Sequence, residues 1–407
     1  MIDVDAALQA ALARAARRGT LPVEPVPLAQ ARGRILREAV VADRDMPPFA
    51  RSAMDGYALR AADVASTPVT LAVIEQIPAG YTPRHVVGPG QAAKIMTGAP
   101  MPEGADAVQM VELTEDEGRQ SVTILQAVSP GENVRHAGED LQGGASLLQT
   151  GARLDASAMA LLAMTGRSVV TVSRRARVAV IPTGDELVPV DEDPGDAKIR
   201  ESNGHMIRAL AEAAGADVEL FPIVPDLIEE LETAIGAALE TADVVLLSGG
   251  VSMGDYDLVA RALTRLGCRS TFDRVAIQPG KPLWFGGTGD PKGPLVFGLP
   301  GNPVSSLVDF IVFVRPALEA LAGARATDRH LPARLAESVH RRKGRRGYFP
   351  ARLDAANDAL NVRLVPTKGS ADMVAMSKAD ALVILSEHTE DFPAGSIVPV
   401  LPLDGLI

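Results

Sequence analysis

Acidic side chains stand just beyond three apolar runs of this chain. Glu186 follows RVAVI and Pro-Thr-Gly-Asp, and Asp226 follows DVELFPIV; Asp257, with Asp255 two residues before it, follows DVVLLS. Carboxylates gathered beside a phosphate repel it unless a hard cation such as Mg²⁺ sits between them, so the set fits metal-assisted phosphate chemistry. The third run leads into Ser248-Gly249-Gly250-Val251-Ser252-Met253-Gly254 ahead of a helical pattern. Glycines let backbone N–H groups approach an anion, and a helix N-terminus adds partial positive charge. No Gly-Lys-Ser/Thr follows, so this is not a P-loop. Gln278-Pro279-Gly280-Lys281-Pro282 presents one lysine as a point charge for phosphate. Each feature also has a plainer reading: a tight turn, a helix-cap acid favoured by the helix dipole, a solvated lysine. Taken singly they favour the plain reading; the acids together, on one face, favour a metal and phosphate site.

These loops need a scaffold. From residue 176 the chain alternates apolar strands (177–181, 243–248, 294–299) with helical stretches (226–239, 256–266, 304–321), and Ser202 and Asn203 can cap a helix reaching Gly215. Such alternation predicts a mostly parallel sheet, whose carboxyl ends bind ligands. The loop Leu299-Pro300-Gly301-Asn302-Pro303 falls at the same end. Residues 4–18 predict a helix with Asp3 as N-cap. Residues 68–128 alternate short β-type runs with Gly- and Pro-rich loops, and 155–166 is helical again. Packing of that second helix on the first would make the β-rich part an insertion. Residues 327–407 return to short strands and turns.

The balance of the 407 residues limits the function classes. Net charge is −11, from 51 acidic and 40 basic residues, which argues against a nucleic-acid surface. The run Arg341–Arg346 reads as a solvated loop. One cysteine, Cys268, excludes an internal disulfide, and no apolar run reaches the ~18 residues of a membrane span. A cytoplasmic setting without membrane or nucleic-acid partners is the default expectation. The six histidines show no metal-ligand spacing.

Seven strings in order (SAMDGYA, IMTGAPMPEGADAV, RHAGED, VAVIPTGDELV, SGGVSMGDYD, QPGKPLWFG, GLPGNPVSS) resemble the molybdopterin molybdenumtransferase family, which inserts molybdenum in cofactor biosynthesis and includes gephyrin E-type domains. The resemblance implies a multidomain α/β architecture. A discontinuous helical linking domain takes 1–45 and 146–175, and an inserted β-rich domain takes 46–145. A molybdopterin-binding α/β domain takes 176–326, and a C-terminal β domain takes 327–407. It implies a transferase acting on adenylyl-molybdopterin and molybdate, releasing AMP with Mg²⁺ assistance. It also implies a homodimer whose site is completed in trans, and allows contact with the upstream molybdopterin adenylyltransferase.

Carried over residue by residue, the catalytic set is Asp55, Thr97, Asp140, Glu186 and Lys281, and the metal set Asp226, Asp257 and Asp255. Substrate-binding positions are Ser248, Gly249, Gly250, Ser252, Gly254, Arg274, Pro300, Gly301, Asn302, Pro303, Ser370 and Arg352. The chain departs from the family at Arg274 and Gln278, where some members carry lysine (Arg274 keeps the charge, Gln278 does not), and at Pro350, where arginine is expected; Arg352 is the substitute offered. Two other classes remain open, a receptor-clustering scaffold on the same fold and an adenylyltransferase sharing only the α/β domain.

Overall fold

The computed structural model describes residues 1–116, 120–250, 258–356 and 359–403. The chain divides into two compact units, one of Met1–Glu38, Thr150–Ala156 and Val169–Ile407, the other of Ala39–Gln149 and Ser157–Ser168.

In the first unit a six-stranded sheet runs in the order Asp217–Leu220, Arg177–Pro182, Val244–Ser248, Leu295–Leu299, Pro282–Gly287, Arg269–Arg274. Its first four strands are parallel and the last two antiparallel. Side chains alternate along each strand between two cores. Val178, Val180, Leu246 and Phe297 enter one; Ala179, Ile181, Val245, Leu247 and Val296 enter the other. A sheet covered on both faces has no polar side, which is why Val244–Ser248 is a nearly continuous apolar run. Helices Ile228–Thr241 and Leu258–Arg265 supply Leu231, Ile235, Val259 and Leu263 to the second core.

The first core receives Val4, Ala7, Ala11 and Ala15 from helix Val4–Arg18, and Asp3 caps that helix by accepting the Ala6 N–H at 2.8 Å. The helix packs on the last helices of the α/β part. What closes the chain across the inserted segment is a strand pair, Val23–Pro27 with Val169–Ser173. The stretch predicted as one helix over 304–321 is interrupted: Pro303–Asp309, a π-helical turn Phe310–Val314, then Arg315–Leu321.

Asp243, 1% exposed, ties these layers together. It accepts from Arg18 Nη2 at 2.6 Å, from Arg174 Nη2 at 2.9 Å and from the Arg177 N–H at 2.8 Å.

The terminal strands Leu331–Leu335, Arg346–Ala356, Ala359–Leu364, Ala381–Leu385 and Ile397–Pro402 pair in a closed ring. Closure removes the exposed edges of a small sheet. The short strand Ile277–Gln278, just before the Lys281 turn, adds to this ring by pairing with Arg346 and Gly347.

The second unit holds another six-stranded sheet, ordered Ala107–Met110, Gly56–Leu59, Gln91–Ile95, Val69–Ile77, Ser121–Ile124, Thr114–Asp116, with apolar clusters on both faces. Among the described residues no helix is long and apolar enough to cross a membrane.

Candidate active site

The loops after the parallel strands converge, as the sheet rule requires. The Thr183 N–H donates to the Ser248 carbonyl at 2.9 Å, and the Gly249 N–H to the Leu299 carbonyl at 3.3 Å. Gly249 has φ +98, and its α-carbon packs so close to the Thr183 carbonyl that a β-carbon would collide with it. Only glycine allows this approach, so Gly249 and Gly250 after Ser248 present backbone rather than side chains at the strand end. Gly301 lies against Gly249, and its carbonyl accepts from Asn203 Nδ2 at 2.8 Å. Asn203, which the sequence offers only as a cap, thus reaches the loop at the strand end, and among the described residues its buried Oδ1 has no partner. Helix Asn203–Ala213 is capped instead by buried Glu201, whose Oε1 accepts the Gly204 N–H at 2.6 Å, while Ser202 makes no side-chain cap.

The acids gather beside this cradle. Asp185 Oδ1 accepts the Asp226 N–H at 3.1 Å, and the Glu186 carboxylate folds back over Gly184. Burial, then the neighbouring charges of Asp185 and Glu186, push the Asp226 carboxyl above the usual carboxylate range. Asp226 Oδ1 is buried and has no hydrogen-bond partner among the described residues. Hard oxygen donors that repel one another and lack a counter-charge suit a divalent cation. No group of three His, Cys, Asp or Glu among the described residues completes a metal site. Ser252, Gly254, Asp255 and Asp257 lie outside the described residues.

A cavity of about 310 Å³ opens beyond the 299–303 loop. The Lys281 turn, Asn302, Ser370, Arg345 and Pro350 line it. The strand Pro282–Gly287 runs antiparallel to Leu295–Leu299, so its start sits at the same sheet end as the acids. The Ser370 carbonyl accepts the Val304 N–H at 3.1 Å, and Ser306 Oγ donates to the Pro300 carbonyl. These bonds fix the Pro300–Pro303 loop from below.

Arg352 does not line the cavity. It is exposed on its strand, opposite Arg363. Arg345, from the run read as a solvated loop, occupies that role; it is half-buried and has no ion-pair partner among the described residues. Arg274 ends an outer strand, is exposed, and does not line the cavity.

The three strings of the β-rich part also meet, within the second unit. Arg51–Ser52 pairs with Val134–Arg135, and the Gly98 N–H donates to the Ser52 carbonyl at 2.8 Å. Asp55 Oδ1 accepts from the Thr97 N–H at 2.7 Å and the Thr97 hydroxyl at 2.8 Å, and these bonds hold Asp55 below the usual carboxylate range. Asp140 is ion-paired with Arg135.

Comparison with known proteins follows this geometry. Residues 2–166 match the MoeA N-terminal region (domain I and II), 179–320 the family described as "Probable molybdopterin binding domain", and 332–403 the MoeA C-terminal region (domain IV). A Mycobacterium tuberculosis protein named molybdopterin molybdenumtransferase 2 is 37% identical over 388 residues, 93% of this chain and 94% of its own length. The chain belongs to the molybdopterin molybdenumtransferase family. A Nostoc member is 44% identical over 304 residues, 74% of this chain and 70% of that protein. The crystal structure of the molybdopterin biosynthesis moeA protein from Pyrococcus horikoshii OT3 aligns with a TM-score of 0.82 at 30% identity, covering 98% of this chain and 99% of that one. As a molybdopterin molybdenumtransferase family member the chain is a transferase with a role in molybdenum cofactor biosynthesis.

One acid of this transferase lies directly behind the cavity. Asp309 is fully buried, and both carboxyl oxygens lack partners among the described residues. Its carboxyl fills the space where a β-carbon on Gly280 (φ +107) would stand. Burial raises its pKa well above the ordinary value, favouring the protonated carboxyl in the folded protein. A group protonated more readily when folded contributes stability that is lost as pH rises. Asp309→Asn removes that dependence. Its melting temperature relative to the parent protein is expected to climb by a few degrees from about pH 4 upward. Parallel melting curves across a pH series that keep a constant offset would show that Asp309 is ionised when folded.

Proposed function

We propose that the protein transfers molybdenum from molybdate to adenylyl-molybdopterin, giving molybdenum-molybdopterin and AMP, with a divalent cation, Mg²⁺, at the acids. The observation that carries this reading is the juxtaposition at one sheet end. An acid cluster needing a cation and a lysine- and arginine-lined cavity suited to a small dianion lie at the same end of one sheet, with the Gly249 turn and the Pro300–Pro303 loop between them. Asp226 and Glu186 would hold the cation, joined by Asp255 or Asp257. When bound, it polarises phosphoryl oxygens and offsets charge as the pyrophosphate link breaks. Gly249 and Gly250, which carry no side chain, let the phosphates approach the backbone that follows Ser248. Lys281, Arg345 and Ser370 orient the oxyanion, and the prolines at 300 and 303 keep the loop in place before it arrives. Asp55, Thr97 and Asp140 belong, in this proposal, to the other half of the site, supplied by the partner subunit of a homodimer.

The test is AMP release from adenylyl-molybdopterin with and without molybdate. Lys281→Ala removes one charge-assisted contact. It is expected to raise the molybdate concentration for half-maximal rate roughly 10–100-fold, with little change in adenylyl-molybdopterin binding. Weakened adenylyl-molybdopterin binding with unchanged molybdate dependence would move Lys281 to the phosphate side.

A further inference from the structure

A second cavity, of about 780 Å³, lies on the terminal barrel and shares Gln278, Arg345, Phe349 and Thr367 with the oxyanion cavity, so the two adjoin across a common wall. Its wall carries His340, Arg341, Arg342, Lys343 and Arg345 against the single acid Glu337. Glu337 is taken up by Arg363, and His340 by Asp391 at 2.7 Å. Lys343 stands 4.0 Å from Glu390, while Arg342 and Arg345 have no ion-pair partner among the described residues.

Arg341 forms the partition. It is 8% exposed, donates from Nη2 to Gln278 Oε1 at 3.1 Å and to the Arg345 carbonyl, and lies 5.6 Å from the Phe349 ring centre. Its hydrogen-bond partners, the Leu385 carbonyl among them, are neutral, and among the described residues its Nε has none; Glu387 is near enough to act on its charge but forms no ion pair with it. A buried cation of this kind is costly unless anions come near it. The chain as a whole carries −11, a field that repels a dianion, so concentrated positive charge at one cleft is what could bring such a ligand in.

We propose that this basic cleft is the entry chamber of the oxyanion cavity, collecting a doubly charged tetrahedral oxyanion and passing it along Arg345 and Gln278 to Lys281. The proposal rests on the reading of the smaller cavity as the molybdate site. Attraction exerted through exposed charges is screened by salt, whereas packing is not: the Debye length falls from about 30 Å at 0.01 M to about 3 Å at 1 M.

The experiment uses Arg342→Gln/Lys343→Gln in the full chain, with AMP release followed against molybdate at low and high ionic strength. At low salt the variant is expected to need roughly 3–10-fold more molybdate for half-maximal rate, with kcat unchanged. The difference should vanish near 1 M salt, and the charge-reversed Arg342→Glu/Lys343→Glu should enlarge it. A difference that persists at high salt, no difference at all, or a difference confined to adenylyl-molybdopterin overturns the proposal. Equilibrium dialysis with molybdate alone reads the cleft without turnover. Salt-dependent weakening in the variant supports the chamber even if AMP release fails, which would instead sink the reaction assignment. Equal binding by both proteins at low salt rejects the chamber whatever the reaction.

Discussion

Asp226→Asn is expected to slow AMP release about 10–100-fold and to raise the divalent-cation concentration needed for half-maximal rate, because it removes a charged oxygen donor from the acid cluster. The same substitution should make the cation-free protein more stable at neutral pH. Burial and the charges of Asp185 and Glu186 hold the Asp226 carboxyl above its usual range, so the folded state is penalised as pH rises and Asp226 ionises. The variant's advantage should fade in acid, where Asp226 is protonated in both states. Equal cation dependence of the two proteins in a rate titration would remove Asp226 from the metal site. Mixing Asp226→Asn with Asp55→Asn should restore part of the rate if the two acids reach one site from different subunits. No recovery, with subunit exchange seen by mass spectrometry, would reject a site shared between chains.

Asp243→Ala is expected to cost about 3–5 kcal/mol, the largest stability loss among these substitutions. The acid is 1% exposed, and its removal leaves Arg18 and Arg174 partly buried without their shared carboxylate, and the Arg177 N–H without its acceptor. Denaturant unfolding monitored by circular dichroism checks this. A loss below about 1 kcal/mol would mean that water replaces the carboxylate as partner.

The elements of this chain were far more legible than its site. Helix Val4–Arg18 announced itself by the Asp3 cap and by small residues at helical spacing. The central strands were visible because burial on both faces leaves uninterrupted apolar runs. The α/β loops could be placed together because a parallel sheet puts them at one end. What a sequence cannot show is which distant segment supplies the facing wall. Arg345 looked like part of a solvated basic run, since nothing in Arg-Arg-Lys-Gly-Arg-Arg reveals that Arg341 lies against Phe349 and Gln278. Ser202 has the better capping chemistry, yet Glu201 reaches the free N–H because its longer side chain is held in a buried position. Asp309 did leave a signal, a lone acid inside an otherwise apolar stretch ending in FIVFV, and such an acid needs a reason to be there.

The pairing of Ile277–Gln278 with Arg346 and Gly347 bears on how this protein could be rearranged. The barrel resembles an appendage when only chain order is considered, a unit for recombination to exchange for another. That short strand makes it a co-owner of the lysine turn instead. Cutting the chain after residue 326 would strip Gln278 of its neighbour strand and of the Arg341 guanidinium, and would leave Lys281 on an unsupported loop. It would also take away Arg345 and Ser370. Grafting a foreign barrel would require matching two backbone registers as well as two side chains. Fusions that preserve the junction from Ile277 to Gly347 should keep the anion cavity, while exchange at the 321–331 connection should not.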